Sequence, residues 1–387
     1  MNKADKIQLA LPDQCTGCAA CASVCPTNSI MMREDKEGFW QPHIDADTCI
    51  KCHKCEKTCP IVSPIIVPTD FETQAYAAIN KDETIRMRSS SGGIFYALAK
   101  WTVEQGGVVF GARFDENWDV IHDYTETVDG IEPFMRSKYV QSRIGDTFTQ
   151  AKEFLKAGRQ VLFVGTPCQI GGLHSFLGKD YENLIMVDFI CHGVPSPKVW
   201  HTYLNETNIG EKLVEFNFRD KRDGWVESQC VFIKTKLSTR REKQLTNLFF
   251  RGFINNVYLR NSCFSCPFKS VHHISDITIA DAWGIQHYSP HMNDNKGTSA
   301  ILVHSQKGEK CINVLSPLIK TESISIEDVT FHNPSLIQSS SKPKYRRLPF
   351  YVSFYLFGFK ASGRFIEKDP FVIRLFRKIK KQIKKLI

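Results

Sequence analysis

The sequence predicts a mixed α+β and α/β protein in three parts: a small cysteine-rich module over residues 1–68, a larger mixed α/β domain over 69–345, and a helical tail over 346–387. Three observations carry this reading. Eight cysteines repeat at a fixed displacement near the N-terminus, β-prone apolar runs then alternate with helical stretches, and the final residues are basic without an acid.

In the first part, Cys15, Cys18, Cys21, Cys25 and Pro26 recur 34 residues later as Cys49, Cys52, Cys55, Cys59 and Pro60. Pro60, Pro64 and Pro68 then stiffen the chain into a linker. Fourteen cysteines clustered this way in 387 residues are not a disulfide-stapled secreted scaffold, and the run Ile7–Leu11 is too short for a signal-peptide core of ~7–15 residues. The expectation is a cytoplasmic chain whose reduced thiols bind metal.

The spacing Cys-x2-Cys-x2-Cys-x3-Cys-Pro, present twice, is that of bacterial ferredoxins with two 4Fe-4S clusters. Thiolates two residues apart on a tight loop each reach a different iron of one cubane, whereas the fourth crosses to the other. Cys15, Cys18, Cys21 and Cys59 are therefore expected to hold one cluster, and Cys49, Cys52, Cys55 and Cys25 the second. Small residues at Gly17, Ala19, Ala20 and Ala22 let backbone amides approach the sulfides. Four-cysteine zinc is the rival, but zinc ribbons use separated pairs. Two adjacent redox centres imply electron transfer.

The second part carries expected strands at Gln74–Ile79, Val108–Phe114, Val161–Val164, Leu184–Ile190, Leu213–Phe218, Val231–Thr235, Ile277–Ala280 and Ala300–Val303. Helices are expected at Gly93–Glu104, Thr149–Ala157, Lys198–Asn205, Thr246–Asn255 and Glu309–Ile319. Of the six remaining cysteines, Cys168 and Cys191 each follow a strand, while Cys263-x2-Cys266 forms a tight loop. Those four thiols are candidate ligands of a third 4Fe-4S cluster; buried structural cysteines or a redox dithiol at Cys263 and Cys266 are the rivals. Cys230 and Cys311 read as core.

Ser89-Ser90-Ser91-Gly92-Gly93 precedes a helical run, where backbone amides suit a pyrophosphate, although the same pattern also makes an ordinary cap. Lys138 and Tyr139 offer a cation and a ring, and Asp281 and Trp283 end a strand at a position where side chains enter a site. One-electron clusters beside two-electron hydride chemistry call for a flavin as converter.

Several motifs in order carry a family resemblance: Ser90-Ser91-Gly92-Gly93, Ser137-Lys138-Tyr139-Val140-Gln141, Gly165-Thr166-Pro167-Cys168-Gln169, Cys191-His192-Gly193-Val194-Pro195-Ser196, Cys263-Phe264-Ser265-Cys266, and Asp276 through Gly284. Together, over roughly residues 10 to 300, they resemble the family of coenzyme F420 hydrogenase/dehydrogenase beta subunits, fused to a two-cluster ferredoxin module. The resemblance implies an oxidoreductase passing electrons between FAD and iron–sulfur centres, with F420 as hydride partner. It assigns Cys168, Cys191, Cys263 and Cys266 to a flavin-proximal cluster, and Ser91, Gly92, Gly93, Lys138, Asp281 and Trp283 to the flavin's surroundings. One departure stands out: Ala280-Asp281-Ala282-Trp283-Gly284 replaces the family's usual Gly-Asp-aromatic-Trp-Gly. Members with this fusion also resemble bacterial proteins of surface-polysaccharide synthesis.

The third part is aromatic first and basic last. Seven of the nine units of formal positive charge fall between Val372 and Ile387, so the remainder is nearly neutral and no nucleic-acid partner is expected. No run reaches the ~20 apolar residues of a bilayer span. Val372, Phe376, Ile379, Ile383 and Leu386 recur at helical spacing, as in an interfacial helix contacting anionic lipid at the inner face of the membrane. The expected partners are thus a redox protein, a hydride-carrying small molecule and a membrane surface. The alternative is an electron-transfer module without its own small-molecule substrate.

Overall fold

The computed structural model describes residues 7–207, 212–226 and 229–367. Its strands are β1 (Ile30–Glu34), β2 (Trp40–Ile44), β3 (Gln74–Asn80), β4 (Val108–Phe114), β5 (Val120–Thr125), β6 (Val161–Val164), β7 (Leu184–Phe189), β8 (Leu213–Asp220), β9 (Cys230–Thr235), β10 (Thr239–Lys243), β11 (Ile277–Asp281), β12 (Ser299–Val303) and β13 (Ile319–Ser323).

In the N-terminal region, β1 and β2 form an antiparallel pair, and the short helices Ala20–Ser23 and Lys54–Thr58 each carry a repeat cysteine. The duplication extends to the backbone. Left-handed φ occurs at Gly17 and Ala19 and again, 34 residues on, at Lys51 and His53. Such residues turn the chain sharply around each cysteine run, and non-glycine residues adopt them only under local constraint.

The large sheet runs β13-β3-β12-β11-β7-β6-β4-β5. Its centre, β4, β6, β7 and β11, is parallel, and its flanks are antiparallel. The fully buried run Val161–Val164 is what a central parallel strand covered on both faces requires. Parallel order also brings the C-terminal ends of β6, β7 and β11 to one edge, where ligand sites of such sheets form. A smaller sheet, β10-β9-β8, packs its apolar face with Trp200, Phe249 and Tyr258 in an aromatic core.

All eight expected strands are present, and β1, β2, β5, β10 and β13 are additional to them. The helix Pro167–Leu177 is likewise additional, so Cys168 opens a helix instead of standing in a loop. Pro167 occupies its first turn, and Gln169 Oε1 accepts from Thr166 N at 2.9 Å. Gly171 and Gly172 lower its intrinsic propensity, which conceals it.

The helix Arg347–Glu367, broken at Gly358, buries Phe350, Phe354 and Phe359 against the aromatic core. The basic segment that follows lies outside the described residues. Among those described, no helix is long and apolar enough to cross a membrane.

Candidate functional site

Cys18 and Cys21 sense the charges of Cys15 and Cys59, so the crossed foursome Cys15, Cys18, Cys21 and Cys59 shares one locality. Burial pushes the Cys18 thiol up to about 11, and these neighbours add to it. Cys25, Cys49, Cys52 and Cys55 line a separate small cavity with Ile30 and Ile44. Cys52 and the adjacent Ile50 are exposed, so this second foursome lies nearer solvent.

Cys168, Cys191, Cys263 and Cys266 line a third chamber at the C-terminal edge of the sheet. Cys168 stands in the helix after β6, Cys191 two residues beyond β7, and the other pair on and after a short 3₁₀ turn, Asn261–Ser265. Burial first, and mutual charge second, pushes the bare thiols of Cys168, Cys191 and Cys263 upward, the last two to about 12. Two cations oppose this: Lys269, whose ammonium donates to Cys191 O, and Arg260. Cys230 and Cys311 are buried elsewhere, as expected for core. Among the described residues, no three His, Cys, Asp or Glu groups gather tightly enough for a single ion. The cysteine foursomes instead border cavities.

The chamber lies against the ferredoxin-like region. Gly172 is the reason: a Cβ there would stand 2.9 Å from Cys18 Cβ and 3.0 Å from its Sγ. Arg260 fastens the same contact, donating to Cys15 O at 2.7 Å, Trp40 O at 2.9 Å and Gln141 Oε1 at 3.1 Å.

A cavity of about 680 Å³ adjoins the chamber and shares Cys168, Cys191 and His192 with it. This is within the ~300–1,000 Å³ of small-molecule sites. Of the expected flavin residues, Ser91, Gly93, Lys138, Asp281 and Trp283 line it, and Gly92 does not. The Gly92 amide is taken by Ser299 Oγ at 3.0 Å and its carbonyl accepts from Asn80 N at 2.7 Å. Gly93, at φ 83°, precedes the helix Ile94–Glu104 without a side-chain cap, leaving first-turn amides for a ligand.

Two expected roles change on inspection. Lys138 Nζ donates to the carbonyls of Pro133 and Met135 at 2.8 and 2.7 Å, and burial pushes it down to about 7, so its charge is not free for a phosphate. Tyr139 stacks on Phe253 at 4.6 Å as part of the aromatic packing. Sequence reasoning missed Arg219, which pairs with Asp281 and lies over the Trp283 ring at 5.2 Å; Trp283 in turn stacks on Trp225 at 5.0 Å. It also missed His122, which borders the cavity, is bonded through Nε2 to Val164 O at 3.1 Å, and is pushed down to about 4 by burial. Neither had a motif to announce it.

Residues 158–328 match the family model for the C terminus of the coenzyme F420 hydrogenase/dehydrogenase beta subunit, and residues 14–62 match the 4Fe-4S dicluster domain. The chain is 24% identical over 218 residues to the F subunit of the F420H2 dehydrogenase of Methanosarcina mazei, covering 54% of this chain and 60% of that protein. A 7Fe ferredoxin of Hydrogenibacillus schlegelii is 39% identical over 67 residues, 16% of this chain and 77% of that protein. In a solved structure of the F420-reducing [NiFe] hydrogenase complex from Methanosarcina barkeri, one chain aligns over its full length with 72% of this chain, at 13% identity and a TM-score of 0.47. The chain thus spans less than two thirds of the M. mazei dehydrogenase protein. It belongs to the family of coenzyme F420 hydrogenase/dehydrogenase beta subunits and carries a 4Fe-4S dicluster domain at its N-terminus.

Proposed function

We propose that the chain is an iron–sulfur flavoprotein oxidoreductase, passing electrons between a hydride carrier at FAD and a redox partner protein. One observation carries this reading: the chamber of Cys168, Cys191, Cys263 and Cys266 and the 680 Å³ cavity share the Cys168 and Cys191 walls. Four thiols bordering a buried chamber, with Lys269 and Arg260 supplying positive charge, suit a third 4Fe-4S cluster. FAD fits the larger cavity, where Ser91 and Gly93 stand at an uncapped helix N-terminus and Trp283 offers a ring face. When bound, the clusters supply single-electron transfer and FAD supplies exchange with a two-electron hydride carrier.

The chain's own residues set the order of these sites. Gly172 lets Cys18 pack on the helix that begins beside Cys168, which favours transfer between the first foursome and the chamber. The second foursome, with Cys52 and Ile50 exposed, suits docking of the partner protein. F420 is the first carrier to test, because the M. mazei relative is named for its reduced form.

Anaerobic purification with iron and flavin analysis tests the reading. Three cubanes and FAD predict about twelve irons and one flavin per chain. About eight irons with no flavin, and no FAD binding on addition, would replace it with an electron-transfer module lacking its own small-molecule substrate.

A peripheral membrane contact belongs to the same proposal. Leu348, Val352, Tyr355 and Leu356 are exposed at helical spacing ahead of the basic segment. Deleting residues 372–387 should reduce binding to anionic liposomes and leave cofactor content unchanged. Equal binding by the truncated chain would remove the contact.

A further inference from the structure

A line of buried polar side chains leads from the surface to the chamber of Cys168, Cys191, Cys263 and Cys266, and nothing in the proposed function uses it. At its outer end, exposed His272 and buried Thr73 border an open cleft with Asp70, Glu72 and Glu327. Thr73 Oγ1 lies 3.5 Å from His272 Nδ1 and 3.3 Å from His304 Nδ1. The other nitrogen of His304 lies 2.9 Å from Thr278 Oγ1, which donates to Asp188 Oδ1 at 2.5 Å. Asp188 Oδ2 meets His273 Nδ1 at 2.7 Å, and His273 borders the chamber.

The donor directions along this line are forced. An ionised carboxylate only accepts, so Thr278 must donate to Asp188 and accept from His304 Nε2. Burial, then the nearby His273, pushes His304 down to about 3, so its ring is neutral and its Nδ1 accepts from Thr73. Thr73 can then accept only from His272 Nδ1. Every member donates inward and accepts from outside, as proton relay requires.

Satisfying Asp188 alone explains only the inner half. The carboxylate is 1% exposed and would need partners in any case, and His273 and Thr278 already provide them. His304, Thr73 and His272 extend the line to solvent.

We propose that this line is a proton path, along which the Asp188–His273 pair takes up a solvent proton when an electron enters the chamber; this rests on the reading that the four thiols hold a 4Fe-4S cluster. The electron comes from an external reductant and stays on the cluster. The proton enters from solvent, forms the Nδ1–H bond of His273, and is replaced step by step through Asp188, Thr278, His304, Thr73 and His272. One negative and one positive charge arrive together, which avoids an uncompensated charge in a buried site.

Burial disfavours the His273 cation, but the Asp188 carboxylate and the Ser270 carbonyl outweigh it and raise the pKa above the ordinary histidine value. Lys269 opposes them, and His304 is the other titratable ring against it, stacked at 5.4 Å. Below the raised pKa the imidazolium is already charged, so reduction draws no proton. Above it, each electron draws one.

The test uses the full chain, anaerobically reconstituted, with an EPR-monitored redox titration of the signal lost in Cys168→Ser. On the alkaline side, the wild-type ratio of reduced to oxidised cluster at fixed potential should fall about tenfold per pH unit, equivalent to about 59 mV for one electron. His273→Gln should remove this dependence. Thr73→Val, near the surface, should retain the equilibrium dependence but slow proton uptake several-fold after rapid reduction, read with a pH-indicator dye. A pH-independent wild-type potential, or an unchanged dependence in His273→Gln, overturns the coupling; unchanged uptake in Thr73→Val overturns the path. An iron content of about eight would instead sink the cluster reading on which both rest.

Discussion

Arg260→Met tests whether the ferredoxin-like region is fastened to the larger domain through one buried side chain. Arg260 is 1% exposed and, among the described residues, pairs with no carboxylate; its three donors go to Cys15 O, Trp40 O and Gln141 Oε1, and its guanidinium lies 5.5 Å from the Phe39 ring centre. Hydrogen bonds from a charged group contribute about 1.5–3 kcal/mol each, and two backbone carbonyls would be left buried without this donor. Methionine fills much of the volume and removes the cost of burying a cation, which offsets part of the loss. The net expectation is destabilisation of about 3–5 kcal/mol, the range for breaking one side of a buried charged network. Urea unfolding of the cluster-free chain measures it, read as a lower midpoint at unchanged slope. A change under about 1 kcal/mol, no larger than one ordinary hydrogen bond, would refute the fastening role. In the loaded protein the substitution also removes a positive charge beside Cys263, so the third cluster should become harder to reduce.

Gly172→Ala would gain about 1 kcal/mol of helix propensity but lose about 1–3 kcal/mol to overpacking, because the new methyl meets Cys18 rather than a yielding side-chain tip. The expected outcome is lower stability and weaker EPR spin coupling between the first and third clusters; a more stable protein with unchanged coupling would contradict it. Cys59→Ser should disable the cluster of Cys15, Cys18 and Cys21, and Cys25→Ser that of Cys49, Cys52 and Cys55, so only the first should abolish that spin coupling. The reverse result would mean the fourth ligands do not cross. Without clusters, the thiols of Cys191 and Cys263 have pKa values raised from 9.0 to about 12, mainly by burial. The cluster-free chain should therefore lose stability as pH rises past about 9, where unfolded thiols ionise and buried ones do not, and urea midpoints at about pH 8 and about pH 10 would show the fall. Equal midpoints would count against the burial.

What was legible in the sequence is what chemistry repeats at short range. The eight N-terminal cysteines announce themselves because one cubane needs ligands at fixed local spacing, and the backbone repeats along with them, down to left-handed residues at Gly17 and Lys51. Strands at the sheet's centre were legible because burial on both faces leaves continuous apolar runs. The short edge strands β10 and β13, with charged residues at alternate or adjacent positions, carried no such signal. Partners set by long-range folding were not legible at all: Arg219 meets Asp281 across 62 residues, and Arg260 meets Cys15 across 245.

Gly171 and Gly172 show the limit most clearly, since they lowered the apparent helix propensity of the very segment that opens with Cys168. A Cβ at Gly171 would stand 2.7 Å from Phe268, and one at Gly172 would strike Cys18. The two glycines weaken the helix locally so that the helix can lie close to the loop after Cys266 on one side and the first cysteine run on the other. A local rule broken at two adjacent positions therefore marks the place where the ferredoxin-like region, the helix carrying Cys168 and the Cys263–Cys266 loop come together. It is the packing requirement of that junction, and not helix propensity, that explains both residues.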